Sequence, residues 1–132
     1  HFPKLLKSKK NQYIIMSNQG IDLKTLKKKN KIFYIKNLDE QIKCIYDTFE
    51  KCQIAHLDLN DNGKNICINE KGILSLIDFD IMHFKKLDNI KTLTPLMIQR
   101  INRFTYCNNY DLFYQKIHRI IKKCRNIIII NE

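Results

Sequence analysis

Between His56 and Asp80 the chain reads HLDLNDNGKNICINEKGILSLIDFD, and this stretch holds its most chemistry-bearing residues. Ile66 to Ile68 and Ile73 to Ile77 flank Asn69-Glu70-Lys71-Gly72, a pattern that predicts a short hairpin. Asp58 and Asn65 precede the first strand on a loop, and Asp78 follows the second directly. A hairpin folds its two ends together, so Asp58, Asn65 and Asp78 are expected to converge. Two carboxylates and one amide make an oxygen-rich site suited to Mg²⁺, an ion usually held by one or two carboxylates plus substrate phosphates. The same residues also fit a polar loop with Asx turns and one capped aspartate.

The surrounding elements must hold that loop. Leu38, Ile42, Ile45, Tyr46, Phe49 and Cys52 fall at helical spacing, with Asp39 and Glu40 in the first turn, where the helix dipole favours acid. Gln12 to Met16 reads as a strand, Ser17 to Gly20 as a turn and Ile21 to Lys29 as a short helix, while Ile54 to Asn65 reads as loop. Thr94-Pro95 opens a further helix, with Thr as N-cap and Met97, Ile101 and Phe104 on its apolar face. A last helix starts at Tyr110 or Asp111 and buries Phe113, Ile117, Ile120, Ile121 and Cys124. The fold class is α+β, mostly helical, with a small hairpin carrying the site. No linker or repeat divides residues 1–132, which form a single domain.

The ordered set His56-x-Asp58 … Asn65 … Asp78-Phe79 resembles the H-R-D-x-x-x-x-N catalytic loop and D-F-G motif of the protein-kinase superfamily. Asp58-Leu59-Asn60 and Ile77-Asp78-Phe79-Asp80 are most similar in motif to the lipopolysaccharide-core sugar kinases, the Kdo/heptose kinases. QYIIMSNQGIDL resembles the last small-lobe strand and the hinge, HFPKLLK the segment before that strand, and Leu38 to Gln53 the helix leading into the catalytic loop. The resemblance implies a kinase-like large lobe over residues 21–132. Residues 1–20 would be the end of a small lobe that is otherwise largely absent. It implies ATP and Mg²⁺ as cofactors and a hydroxyl-bearing acceptor, protein or sugar. Asp58 would accept the acceptor's proton, and His56 would be architectural. Asn65 and Asp78 would hold the metal, Phe79 would pack under the loop, and the backbone of Met16, Ser17 and Asn18 would bind the adenine.

Three departures qualify the likeness. Six residues separate Asp58 from Asn65 where the family pattern has four. Asn65 is preferred over Asn60 and Asn62 because Ile66-Cys67-Ile68 then continues as the expected strand. The D-F-G glycine is Asp80, which dislikes the dihedrals glycine permits. No Gly-rich loop, V-A-I-K lysine or A-P-E segment is seen, and Lys64 and Lys24 are the candidates for a replacement phosphate-binding lysine. The His1 start favours a fragment or processed chain. A catalytically inactive kinase-like scaffold or regulatory binding domain is accordingly the alternative.

Twenty-four basic against thirteen acidic residues give +11, which admits an anionic surface or acceptor. Twenty of those cations are lysine, and Lys, Ile and Asn together supply 57 of 132 residues, the signature of AT-rich coding. With only four arginines and no helix-turn-helix or zinc signature, a basic nucleic-acid-binding helical domain ranks last. Five scattered cysteines without a C-x-x-C pair point to a reducing, cytoplasmic setting. No apolar run is long enough to span a membrane; the longest, Ile127 to Ile130, has four residues.

Overall fold

The computed structural model describes residues 1–9, 13–78, 82–84, 94–103 and 109–130. Phe79, Asp80 and Phe104, singled out above, lie outside the described residues. The chain is mixed α/β. In order, its elements are β1 (Leu5–Lys9), β2 (Tyr13–Met16), β3 (Ile21–Asp22), α1 (Leu23–Leu26), β4 (Phe33–Lys36), α2 (Leu38–Cys52) and β5 (Ile54–His56). There follow β6 (Ile66–Ile68), β7 (Leu74–Leu76), β8 (Met82–Phe84), α3 (Pro95–Arg103), α4 (Tyr110–Lys122) and β9 (Ile127–Ile130). Among the described residues no helix is long and apolar enough to cross a membrane.

Helix α2 forms where the apolar spacing predicts it. Leu38, Ile42, Ile45 and Phe49 make one buried stripe, Asp39 and Glu40 occupy the first turn, and left-handed Gln53 ends the helix. Helix α4 is capped by Asn109, whose Oδ1 accepts the Leu112 N–H at 3.1 Å, and it buries Phe113, Ile117, Ile120 and Ile121. The two stripes face each other, with Phe49 edge-on to Phe113 at 6.0 Å between ring centroids. Tyr46 is half-buried rather than buried. It sits at the margin of the stripe against Tyr110, where its polar end can stay near water. Ile101 is also half-buried, not the core residue its spacing predicts.

The β6–β7 hairpin is the floor of the molecule, and β3 joins its β6 edge to give a three-stranded antiparallel sheet in the order β3-β6-β7. A buried glutamine fixes this sheet to α2. Gln41 Nε2 donates to Lys36 O at 3.0 Å and Gly72 O at 2.9 Å, and its Oε1 accepts the Leu74 N–H at 2.9 Å. Each polar atom of that amide has a partner, so its burial is not penalised. The open edge of β7 is met by the N-terminal segment: Leu76 N donates to His1 O at 2.9 Å, and His1 Nδ1 lies 2.6 Å from Leu74 O.

Two stretches differ from the sequence expectation. Residues 21–29 hold only one helical turn, α1, because Ile21 and Asp22 pair with Ile68 and Cys67 of β6. Ile54 to His56, read above as loop, is β5 and pairs antiparallel with β8 in the register Ile54↔Phe84, His56↔Met82. In addition, β4 and β9 form a parallel pair, Phe33↔Ile127 through Lys36↔Ile130, which gives the Ile127–Ile130 run a structural role.

Candidate active site

The site grows from the end of β5. His56 is almost fully buried, and its ring bridges two backbone segments: Asp58 N–H donates to Nδ1 at 3.1 Å, while Nε2 lies 2.8 Å from Ile77 O. Since Nδ1 accepts, Nε2 must carry the proton and donate to that carbonyl. One imidazole thus ties the residue that starts the loop to the residue that precedes Asp78. Burial pushes the His56 pKa below 6.5; the Ile77 bond and the charges of Asp58 and Asp78 draw it partly back. Both carboxylates therefore act on this one ring.

Asp58 is buried and its carboxylate is surrounded by donors. Asn65 Nδ2 donates to Asp58 O at 2.7 Å and to Oδ2 at 3.1 Å. Asn60 Nδ2 donates to Oδ1 at 2.8 Å. Arg100, reaching in from α3, places Nη1 3.3 Å from the same Oδ1 and 3.1 Å from Leu57 O. Lys64 Nζ lies 3.7 Å from Oδ2. The three asparagines of the loop have separate tasks: Asn65 locks Asp58, Asn60 braces its outer oxygen, and Asn62 Oδ1 accepts Lys64 N–H at 2.9 Å to close an Asx turn.

The loop between Asp58 and Asn65 closes on a tight turn. Gly63 N donates to Asn60 O, and Gly63 O accepts from both Leu23 and Ile66 N–H at 3.2 and 3.3 Å. Gly63 has φ 78°, and a Cβ there would stand 2.8 Å from Leu23 Cβ, so glycine is required twice over. Outside the turn, Asp61 is held to α4 by Lys116 at 2.7 Å, Arg119 at 3.5 Å and Lys123 at 3.7 Å. The Lys116 hydrogen bond, helped by the three positive charges, holds the Asp61 carboxyl down at about 2.

Asp78 is exposed and has φ 61°, the left-handed region that aspartate tolerates better than most residues. Its position is set by Ile77, whose N–H donates to Asn65 O at 3.0 Å. The hairpin ends are thus joined through Asn65: its side chain contacts Asp58, and its carbonyl pairs with Ile77, the residue before Asp78. A divalent cation fits the donor chemistry. Asn65 spends its Nδ2 on Asp58, and its Oδ1 accepts no hydrogen bond from the described residues; Asp78 makes no ion pair among them. Among the described residues no cluster of three or more His, Cys, Asp or Glu side chains could hold a metal by itself. An ion here would take part of its shell from a substrate's oxygens, the usual Mg²⁺ arrangement.

The segment Met16, Ser17 and Asn18 leaves β2 some distance along the sheet. Ser17 N–H donates to Lys4 O at 2.8 Å, and its Oγ accepts the Lys4 N–H at 2.8 Å. Ser75 Oγ donates to Gln19 Oε1 at 2.8 Å, which ties this segment to β7. Asn18 is the member whose main chain takes no part in these bonds. Arg100 reaches Asp58 although the catalytic-loop motif does not include it; the sequence offers it only as a cation expected beside the cleft. No protein-family model matches the chain, and no curated protein shows significant similarity to it.

Proposed function

We propose that this chain is an ATP- and Mg²⁺-dependent kinase-like phosphotransferase, or the large-lobe portion of one, acting on a hydroxyl acceptor, protein or sugar. The observation that carries the reading is the pair of hydrogen bonds that Asn65 Nδ2 donates to Asp58 O and Oδ2 at 2.7 and 3.1 Å. It joins the proposed base to a proposed metal ligand in one rigid unit. Asp58 would take the proton of the acceptor hydroxyl as the oxygen forms its bond to phosphorus and the bond to the leaving nucleoside diphosphate breaks. Asn65 Oδ1 and Asp78 would hold Mg²⁺, and the main chain of Met16, Ser17 and Asn18 would bind the nucleobase. The ion, when bound, supplies neutralisation of phosphate charge. Lys64 and Arg100 keep positive charge beside Asp58, where an incoming phosphoryl group gains from it.

Cations also gather around the loop rather than only far from it. Lys116, Arg119 and Lys123 surround Asp61, and Lys27 Nζ is 3.4 Å from Asn62 O. One carboxylate facing three cations leaves a positive surface, which favours an anionic acceptor over a neutral one. The alternative, an inactive kinase-like scaffold, draws on a different observation: Asp58 is already engaged by Asn60, Asn65, Arg100 and Lys64.

Calorimetry of nucleotide binding with and without Mg²⁺, followed by a phosphate-transfer assay, tests the proposal. Asp78→Asn should abolish Mg²⁺-dependent nucleotide binding, because the exposed carboxylate supplies the ligand charge. Asp58→Asn should leave binding within about twofold and lower transfer by about 10²-fold or more, the contribution of a positioned base. Equal effects of the two changes on binding would mean that the roles are misassigned. Binding without transfer in the unaltered chain would favour the scaffold.

A further inference from the structure

The tip of the β6–β7 hairpin, at the far end from Asp58, borders a cavity of about 590 Å³. That volume falls within the range of small-molecule sites, roughly 300–1,000 Å³. Asn65 to Asn69 is four strand steps, so the cavity lies about 13 Å along the hairpin from the catalytic loop. Its apolar lining comes from three core elements: Ile21 of β3, Phe33 of β4 and Ile68 of β6. Its polar rim is unusual in composition. Lys29, Lys31 and Lys71 contribute three ammonium groups, and Glu70 the single carboxylate.

That carboxylate is already taken, by Lys31 Nζ at 2.9 Å. Lys29 and Lys71 make no ion pair with the described residues. The two rim amides also turn donors outward. Asn18 Oδ1 accepts the Gly20 N–H at 2.8 Å, and Asn69 Oδ1 accepts the N–H groups of Lys71 and Ile73 at 2.9 and 3.0 Å. With both side-chain oxygens spent inside the loop, each amide presents its Nδ2. The free side-chain groups of the rim are therefore all hydrogen-bond donors, over an apolar floor. The Lys31–Glu70 pair is mostly exposed, so exchanging it for another anion costs little.

We infer that this cavity is a second binding site, separate from the Asp58 site, for a small amphipathic anion. Such a ligand has a flat apolar body that rests on Ile21 and the edge of Phe33. It carries an acceptor-only acidic group that meets Lys29, Lys71 and the two amides. None of its residues belongs to the Asp58, Asn65 and Asp78 group, but its rim shares Asn18 with the segment proposed to bind the nucleobase, so the site is tested without nucleotide.

The test uses 8-anilinonaphthalene-1-sulfonate as the probe and its uncharged relative N-phenyl-1-naphthylamine as the control, followed by amide chemical shifts. The sulfonate should bind one equivalent and shift the amides of Gly20, Ile68, Asn69, Glu70 and Lys71 in the absence of nucleotide. The uncharged relative should bind about tenfold more weakly, and Lys29→Glu/Lys71→Glu should weaken the sulfonate by about tenfold or more, the screened effect of reversing two nearby charges. Lys43→Glu/Lys51→Glu, on the exposed face of α2, should leave its affinity unchanged. The inference is overturned if the shifts cluster around Asp58 and Asn65, if the two probes bind alike, or if both double variants weaken the sulfonate equally. The shift map on the unaltered chain decides the matter even if a variant folds poorly.

Discussion

Replacing Asp61 with asparagine removes the charge that fastens the Asp58–Asn65 loop to α4 while keeping the side chain's size. In the folded chain Lys116 at 2.7 Å, with Arg119 and Lys123 beyond it, lowers the Asp61 carboxyl from 3.8 to about 2. A drop of nearly two units corresponds to roughly 2.5 kcal/mol. The side chain is 46% exposed, so solvent screening reduces its worth to about 1 kcal/mol. The sign follows from linkage: the folded-state pKa is depressed, so the stabilisation is present above pH 3.8 and is lost as pH falls toward 2. Asp61→Asn lacks it at every pH. Urea unfolding of both proteins at steps from pH 7 to pH 3 should show a gap of about 1 kcal/mol near neutrality that narrows at the acid end. The gap at pH 7 should also shrink in 1 M salt, where the Debye length is about 3 Å. A gap that stays constant from pH 7 to pH 3 would refute the electrostatic reasoning and assign the effect to packing.

Other expectations concern the same loop. His56→Gln should cost about 2 kcal/mol at pH 7, because the Ile77 carbonyl and the Asp58 N–H lose a buried partner. The unaltered chain should lose stability relative to that variant as pH drops below 6.5, since the unfolded imidazole takes up its proton before the buried one does; parallel curves would contradict this. Gly63→Ala should lower Tm by roughly 5–10 °C, from left-handed backbone strain plus the 2.8 Å contact with Leu23 Cβ. If the acceptor is anionic, transfer at saturating Mg-ATP should fall steeply between about 0.1 and 1 M salt. A flat profile would move a neutral acceptor ahead of it.

What was readable in the sequence and what was not divides along chain distance. Helix α2 and the β6–β7 hairpin are local objects, specified by apolar period and by the Asn69–Gly72 turn, and both stand where the pattern put them. The contact of Asn65 with Asp58 and with the Ile77 backbone at the open end of the hairpin follows from the same local geometry. The pairs β4–β9 and β5–β8 are different in kind. Phe33 and Ile127 lie in strands of four residues, and Ile54 and Phe84 in strands of three. Segments that short carry too little periodicity to be told from loop, and only the partner strand, far away in the chain, supplies their hydrogen bonds. The contact of Arg100 is non-local in the same way: its helix could be read, but nothing near Pro95 specifies that its guanidinium ends 3.3 Å from Asp58.

That non-local arginine bears on how Asp58 can be read. Hydrogen bonds from Asn60 and Asn65 orient a carboxylate without removing its charge, and a general base needs that orientation. Arg100 and Lys64 are another matter, because each places a cation beside the oxygens that would receive a proton. One contact ties Arg100 to this place: Nη1 also binds Leu57 O at 3.1 Å, while Nε is buried with no hydrogen-bond partner among the described residues. A buried donor without a partner is costly, so the guanidinium's position is held by its contacts at Leu57 and Asp58 rather than by satisfaction of all its donors. Lys64 has no such second anchor; at 3.7 Å and 43% exposed it is free to leave Asp58 for a phosphate oxygen. Lys64 is thus the cation suited to move with substrate, and Arg100 the one suited to stay and hold the loop.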